Sequence, residues 1–135
     1  MGLAERRAAK EFETNKYPEL KKKVLEAAGF EVPVEIDWES LATADQAHLY
    51  DEAWTKIYFQ TLVDGFKQIT IDQMGKDALK GGLKKIIIKN RGGHYSAPSC
   101  FEFVNGVLTF DHSLSNVDDI NSRAEELKKL LESKL

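Results

Sequence analysis

The sequence predicts an α+β fold. An antiparallel sheet of three to four strands, made of one early strand plus a C-terminal three-stranded meander, packs on helices in the order αα-β-αα-βββ-α. Three observations carry this. The first is Asn105-Gly106, flanked by the runs Cys100 to Val104 and Val107 to His112. That pair is the strongest short-range hairpin signal, because both turn positions favour positive φ. The second is Ile86-Ile87-Ile88 just upstream, a β-branched run that reads as an inner strand beside the hairpin. The third is apolar spacing of helical period on both sides of this unit.

The N-terminal elements are two helices. Leu3, Ala8, Ala9 and Phe12 mark the first. Thr14 to Pro18 interrupts it, since the residue before a proline leaves the helical region. Pro18 then opens a second helix carrying Leu20, Val24, Leu25 and Ala28, and Gly29 stops it. Phe30 to Asp37 alternates, with Val32, Val34 and Ile36 on one face, and Pro33 argues for a sheet edge.

Thr43 and Gln46 form a capping box that predicts a helix from Ala44. The chain stays helix-prone to Met74, with a break expected at Gly65 or in Ile69-Thr70-Ile71. Its aromatics, Trp54, Tyr58, Phe59 and Phe66, lie at core spacing. Gly75 is expected to close this region. In the hairpin, a two-residue turn sets Val104 opposite Val107, Phe103 opposite Leu108, Glu102 opposite Thr109 and Phe101 opposite Phe110. Phe101, Phe103, Leu108 and Phe110 therefore share the core face. Ser115 with Asp118 caps the last helix, whose stripe is Val117, Ile120, Ala124, Leu127, Leu131 and Leu135.

A length of 135 residues fits one globular α+β domain over 1–135. The 42% hydrophobic and 30% charged fractions suit a globular chain rather than a disordered or fibrous one. No apolar run approaches a spanning helix, and residues 1–10 lack a signal-peptide core, so a cytoplasmic location is expected. The net charge of −3 names no partner. Its distribution is uneven. Residues 31–78 hold ten acids against three lysines, a balance of −7, while residues 79–98 hold five cations and no acid, +5. Either these segments attract each other across the fold, or the second forms a basic patch.

The motif search nominates no catalytic residue, no metal ligand and no cofactor. There is no phosphate-binding loop, no His-Glu-x-x-His, no cysteine pair and no nucleophile elbow. Asp111 and His112 are sequential on a strand and so face opposite ways, which disfavours a metal shared with His94 or Asp37. Cys100 is expected on the polar face opposite Asp111, where a carboxylate disfavours the thiolate. The loop from Asn90 to Ser99 exceeds what a hairpin needs and holds Arg91, His94 and Tyr95 around Gly92-Gly93. With His112, these are the candidate binding residues.

Three functions compete. The first is a non-enzymatic module that binds another protein, inhibitor- or immunity-like by analogy of size and composition. It draws on missing catalytic motifs, charge segregation and abundant aromatics, and burial of those aromatics would weaken it. The second is a small-ligand binder or enzyme with a pocket near the 90–99 loop. The third is nucleic-acid binding through Lys84, Lys85, Lys89, Arg91, His94 and Tyr95, which the overall acidity opposes.

Overall fold

A computed structural model of the chain describes residues 2–135. Helices α1 (Leu3–Asn15) and α2 (Tyr17–Ala28) are separated by Lys16 alone, with Pro18 in the first turn of α2. Gly29 ends α2 at φ 86, and its N–H donates to the Leu25 carbonyl at 2.9 Å. Strand β1 (Val34–Ile36) leads into the single turn α3 (Trp38–Leu41), where the Asp37 side chain accepts from the Ser40 N–H.

The capping box at Thr43 does not form. Asp45 sits at φ 63 and a 3-10 turn follows at Ala47–Leu49, so α4 (Tyr50–Trp54) starts six residues later than expected. The Tyr50 hydroxyl donates to the Thr43 carbonyl at 2.5 Å and folds this loop onto the helix. The helix continues as a π segment, Thr55–Gln60, and then as α5 (Thr61–Ile69). The break in Ile69-Thr70-Ile71 is present. Thr70 ends α5 and donates through Oγ1 to the carbonyls of Phe66 and Ala27. Gly65 stays helical within α5, and its lack of a Cβ lets the last helix approach, since a Cβ there would lie 2.7 Å from Leu127 Cδ2. Gly75 does not close a helix either. It lies in the first turn of α6 (Gln73–Gly82), capped by Asp72.

The sheet corrects the antiparallel expectation. Strands β2 (Lys85–Lys89), β3 (Phe101–Val104) and β4 (Val107–Asp111) join β1 in the order β1-β2-β4-β3. The β3–β4 hairpin has the predicted register, residue for residue. The meander is absent: β2 pairs with β4, in parallel, and β1 pairs with β2 in parallel. The physical reason is the 90–99 loop. It carries the chain across the end of the slot that β4 later fills, two strand spacings or roughly 10 Å, so the hairpin returns to the middle of the sheet. Alternation along a strand reports which face is buried but not which neighbour it pairs with.

Parallel strands are usually covered on both faces. Here burial alternates along β2 and β4: Ile86, Ile88, Leu108 and Phe110 are fully buried, while Lys85, Ile87, Lys89, Val107, Thr109 and Asp111 are half-buried. The helices therefore cover one face. The buried face joins one apolar cluster that includes Trp54, Tyr58, Phe59 and Phe66. Helix α7 (Ile120–Lys134) starts five residues after Ser115, with Asn116 at φ 51, so the expected Ser115 cap is not used. Among the described residues no helix is long and apolar enough to cross a membrane.

Candidate functional site

The carboxyl ends of the three parallel strands lie together, and this is where open sheets with parallel strands commonly bind ligands. Asp37 follows β1, Asn90 and Arg91 follow β2, and Asp111 and His112 close β4. The Arg91 guanidinium donates to both oxygens of Asp37, at 2.8 and 3.2 Å. This pair holds the Asp37 carboxyl below its usual range, chiefly through the arginine hydrogen bond. The Asp111 carboxylate accepts from the backbone N–H of Arg91 at 2.9 Å and of Gly92 at 3.1 Å. The His94 ring sits over Gly92, where a Cβ would be 2.5 Å from its Nε2. The Ser113 N–H donates to the His94 carbonyl, and the Asn116 side chain donates to the Tyr95 carbonyl.

Arg91 thus bridges Asp37 through its side chain and Asp111 through its backbone, and the His94 ring lies beside Gly92 in the same loop. Tyr95 is 65% exposed. His112 is fully buried behind them. Its Nδ1 lies 2.6 Å from the Ser113 carbonyl, so the proton sits on Nδ1, and buried Nε2 has no partner among the described residues. Burial pushes its pKa down, keeping the ring neutral. The Tyr58 hydroxyl donates to the His112 carbonyl.

Arg123 is also buried and faces no carboxylate at salt-bridge distance among the described residues. It donates to Thr61 Oγ1 at 3.0 Å and to the carbonyls of Asn116 and Val117 at 2.7 and 2.9 Å. Those carbonyls are held outside α7, which explains its late start. The π segment turns the Lys56 carbonyl toward the same guanidinium, at 3.5 Å. Cys100 is buried, not on the polar face, although its carbonyl accepts from Asp111 N–H as the register implies. Burial, ahead of any charge, raises its thiol to about 12, so it is no nucleophile near neutral pH.

Among the described residues, no group of three or more His, Cys, Asp or Glu could hold a metal. The segregated charges meet across β1 and β2, where Lys85 pairs with Glu35 at 3.0 Å and Arg91 with Asp37. At the carboxyl end, Asp37, Arg91 and Asp111 are therefore spent on the protein's own loop, while His112 Nε2 is not.

Family models, curated proteins and solved structures yield no match to this chain.

Exposed apolar side chains gather instead where the α5–α6 turn meets the end of α7. Ile71 and Met74, at the turn between α5 and α6, are 79% and 82% exposed. They line a depression of about 320 Å³ with Ile69, Ala78 and Leu135. Leu135 also lines a second one, about 390 Å³, with Phe103, Val104 and the Asn105-Gly106 turn. Val104 is 50% exposed. The sequence hinted at this region through the β-branched run at a helix break, which throws Ile71 out of the helical stripe.

Proposed function

We propose that this protein is a non-enzymatic binding module that docks another protein where its α5–α6 turn meets the end of α7. The observation that carries this role is the pair Ile71 and Met74, almost fully exposed and lining one mainly apolar depression, with a second, more polar depression sharing Leu135. Single exposed apolar residues need no explanation, but a contiguous apolar surface is a common mark of an interface. The turn that presents them is tightly built. A Cβ on Gly75 would collide with the Ile69 carbonyl oxygen, so only glycine allows this close reversal.

The aromatics of 54–66 lend no support, since Trp54, Tyr58, Phe59 and Phe66 are all core. Small-ligand binding near residues 90–99 finds less support, because Arg91 is held by Asp37 and Asp111 is occupied by the backbone amides of Arg91 and Gly92. Nucleic-acid binding finds less as well, because Lys85 and Arg91 are already paired with acids.

The test is affinity capture from the source cell with wild type and with the Ile71→Asp/Met74→Asp double variant. The captured partner is then identified and the complex rebuilt from purified components. The double variant should bind it at least about tenfold more weakly, a loss of about 1.4 kcal/mol, with unchanged folding. Equal binding by the two proteins would overturn the docking role of this surface.

A further inference from the structure

The outer edge of β3 carries a second kind of unused group. Val104 and Val107 close the two-residue turn, and the Asp111 N–H donates to the Cys100 carbonyl at 2.9 Å. Hydrogen-bonded and non-hydrogen-bonded pairs alternate between these limits. Glu102 therefore exchanges its bonds with Thr109, while Phe101 and Phe103 direct their N–H and C=O groups away from β4. Among the described residues, no backbone hydrogen bond outside the β4 ladder involves either phenylalanine. β1, at the other edge, is blunted: it is three residues long and follows Pro33, which has no N–H. β3 has no proline, and its outer side is flanked by the depression between the hairpin turn and Lys134-Leu135.

We propose that β3 takes up an extended segment of the partner as an additional antiparallel strand, with an apolar–basic–apolar sequence opposite Phe103, Glu102 and Phe101. Strand addition rests on the protein-binding role proposed above and names what the partner presents. Free backbone groups on two alternate residues ask for a strand rather than a helix. The residues set opposite Phe101 and Phe103 share the helix-covered face with those rings, so they should be apolar. The residue between them falls opposite exposed Glu102 at a non-hydrogen-bonded position, where side chains approach most closely, about 4.5 Å between Cα atoms. An opposite charge stabilises such a pair and a like charge opposes it. A second copy of this chain, centred in the same way, would set Glu102 against Glu102. The charge therefore favours a foreign basic strand over self-pairing.

The test is an NMR titration of the ¹⁵N-labelled protein with an acetylated, amidated Thr-Val-Lys-Val-Thr peptide at millimolar concentration. Amide shifts should centre on residues 100–104, and hydrogen exchange of Phe101 and Phe103 should slow at least about tenfold. The Thr-Val-Glu-Val-Thr peptide should bind about threefold or more weaker, and Glu102→Lys should reverse that preference. N-methylation of both valines should abolish binding. No change at Phe101 and Phe103, or equal binding of the lysine and glutamate peptides, overturns the proposal. So does sedimentation showing a dimer that the peptide dissolves, because the occupant would then be a second copy. If the peptide fails while capture still depends on Ile71 and Met74, strand addition falls and the docking role stands. If the peptide binds while capture ignores both residues, the docking role of the apolar surface falls instead.

Discussion

Two regions of the molecule are built on opposite principles. At the carboxyl end of the sheet the side chains of Asp37, Asp111, Asn116 and Arg123 bond to groups of the chain itself. Around the α5–α6 turn and the hairpin Ile71, Met74 and Val104 face solvent, and along the outer edge of β3 Phe101 and Phe103 leave backbone groups unpaired. The carboxyl end looks richer in chemistry, yet apart from the buried Nε2 of His112 these groups are satisfied. The second region looks bland in sequence, yet it leaves apolar surface and hydrogen-bonding capacity unused. Composition alone marks where reactive side chains lie; it does not say whether they are free.

The comparison breaks most sharply at Arg123. Replacing it with leucine removes the donors to buried Thr61 Oγ1 and to the part-buried carbonyls of Asn116 and Val117, at a cost of about 1–3 kcal/mol for a buried group left unsatisfied and less for the others. Chemical denaturation should show a loss of about 3 kcal/mol or more, and hydrogen exchange should show residues 113–119 loosened. In the other region, Gly75→Ala should cost about 1–3 kcal/mol through the collision with Ile69, read by the same denaturation. Asp111→Ala should cost less, about 1–2 kcal/mol, because the loop amides it frees can reach water.

A pH series separates the two regions further. Burial lowers the folded-state pKa of His112 below its ordinary value of 6.5. The unfolded chain therefore takes up that proton first. Above the ordinary value the effect on stability vanishes, and stability is lost as pH falls from there toward the lowered folded value. Melting temperature measured from neutral to mildly acidic pH should drop, and His112→Gln should flatten this limb. Asp37, whose carboxyl is also held low, adds a loss at more acidic pH, as the pH falls through its own lowered value. The smallest effect belongs to the exposed pair. Ile71→Ser and Met74→Ser should each change stability by no more than about 0.5 kcal/mol while weakening partner binding.

Several features were legible before any coordinates. The Asn105-Gly106 turn, the hairpin register and the inward faces of Phe103, Leu108 and Phe110 follow from local turn chemistry and a period of two. The break after Ile69 follows from a β-branched run. The sequence puts Arg91 and His94 in one loop, but the engagement of Arg91 by Asp37 and of the Arg91 and Gly92 amides by Asp111 is not visible there, because those partners lie 54 and 19–20 residues away in sequence.

By itself, the sequence determined the local elements: two N-terminal helices, an edge strand within 30–37 (shortened in the structure to Val34–Ile36), an inner isoleucine strand, a tight hairpin and a C-terminal amphipathic helix. Only the tertiary structure decided that β4 inserts beside β2, that Cys100 and His112 are buried, and that the apolar region stays open. The reason is physical. Turn geometry and side-chain alternation act over a few residues, whereas strand order and the satisfaction of buried polar groups depend on which distant segments meet.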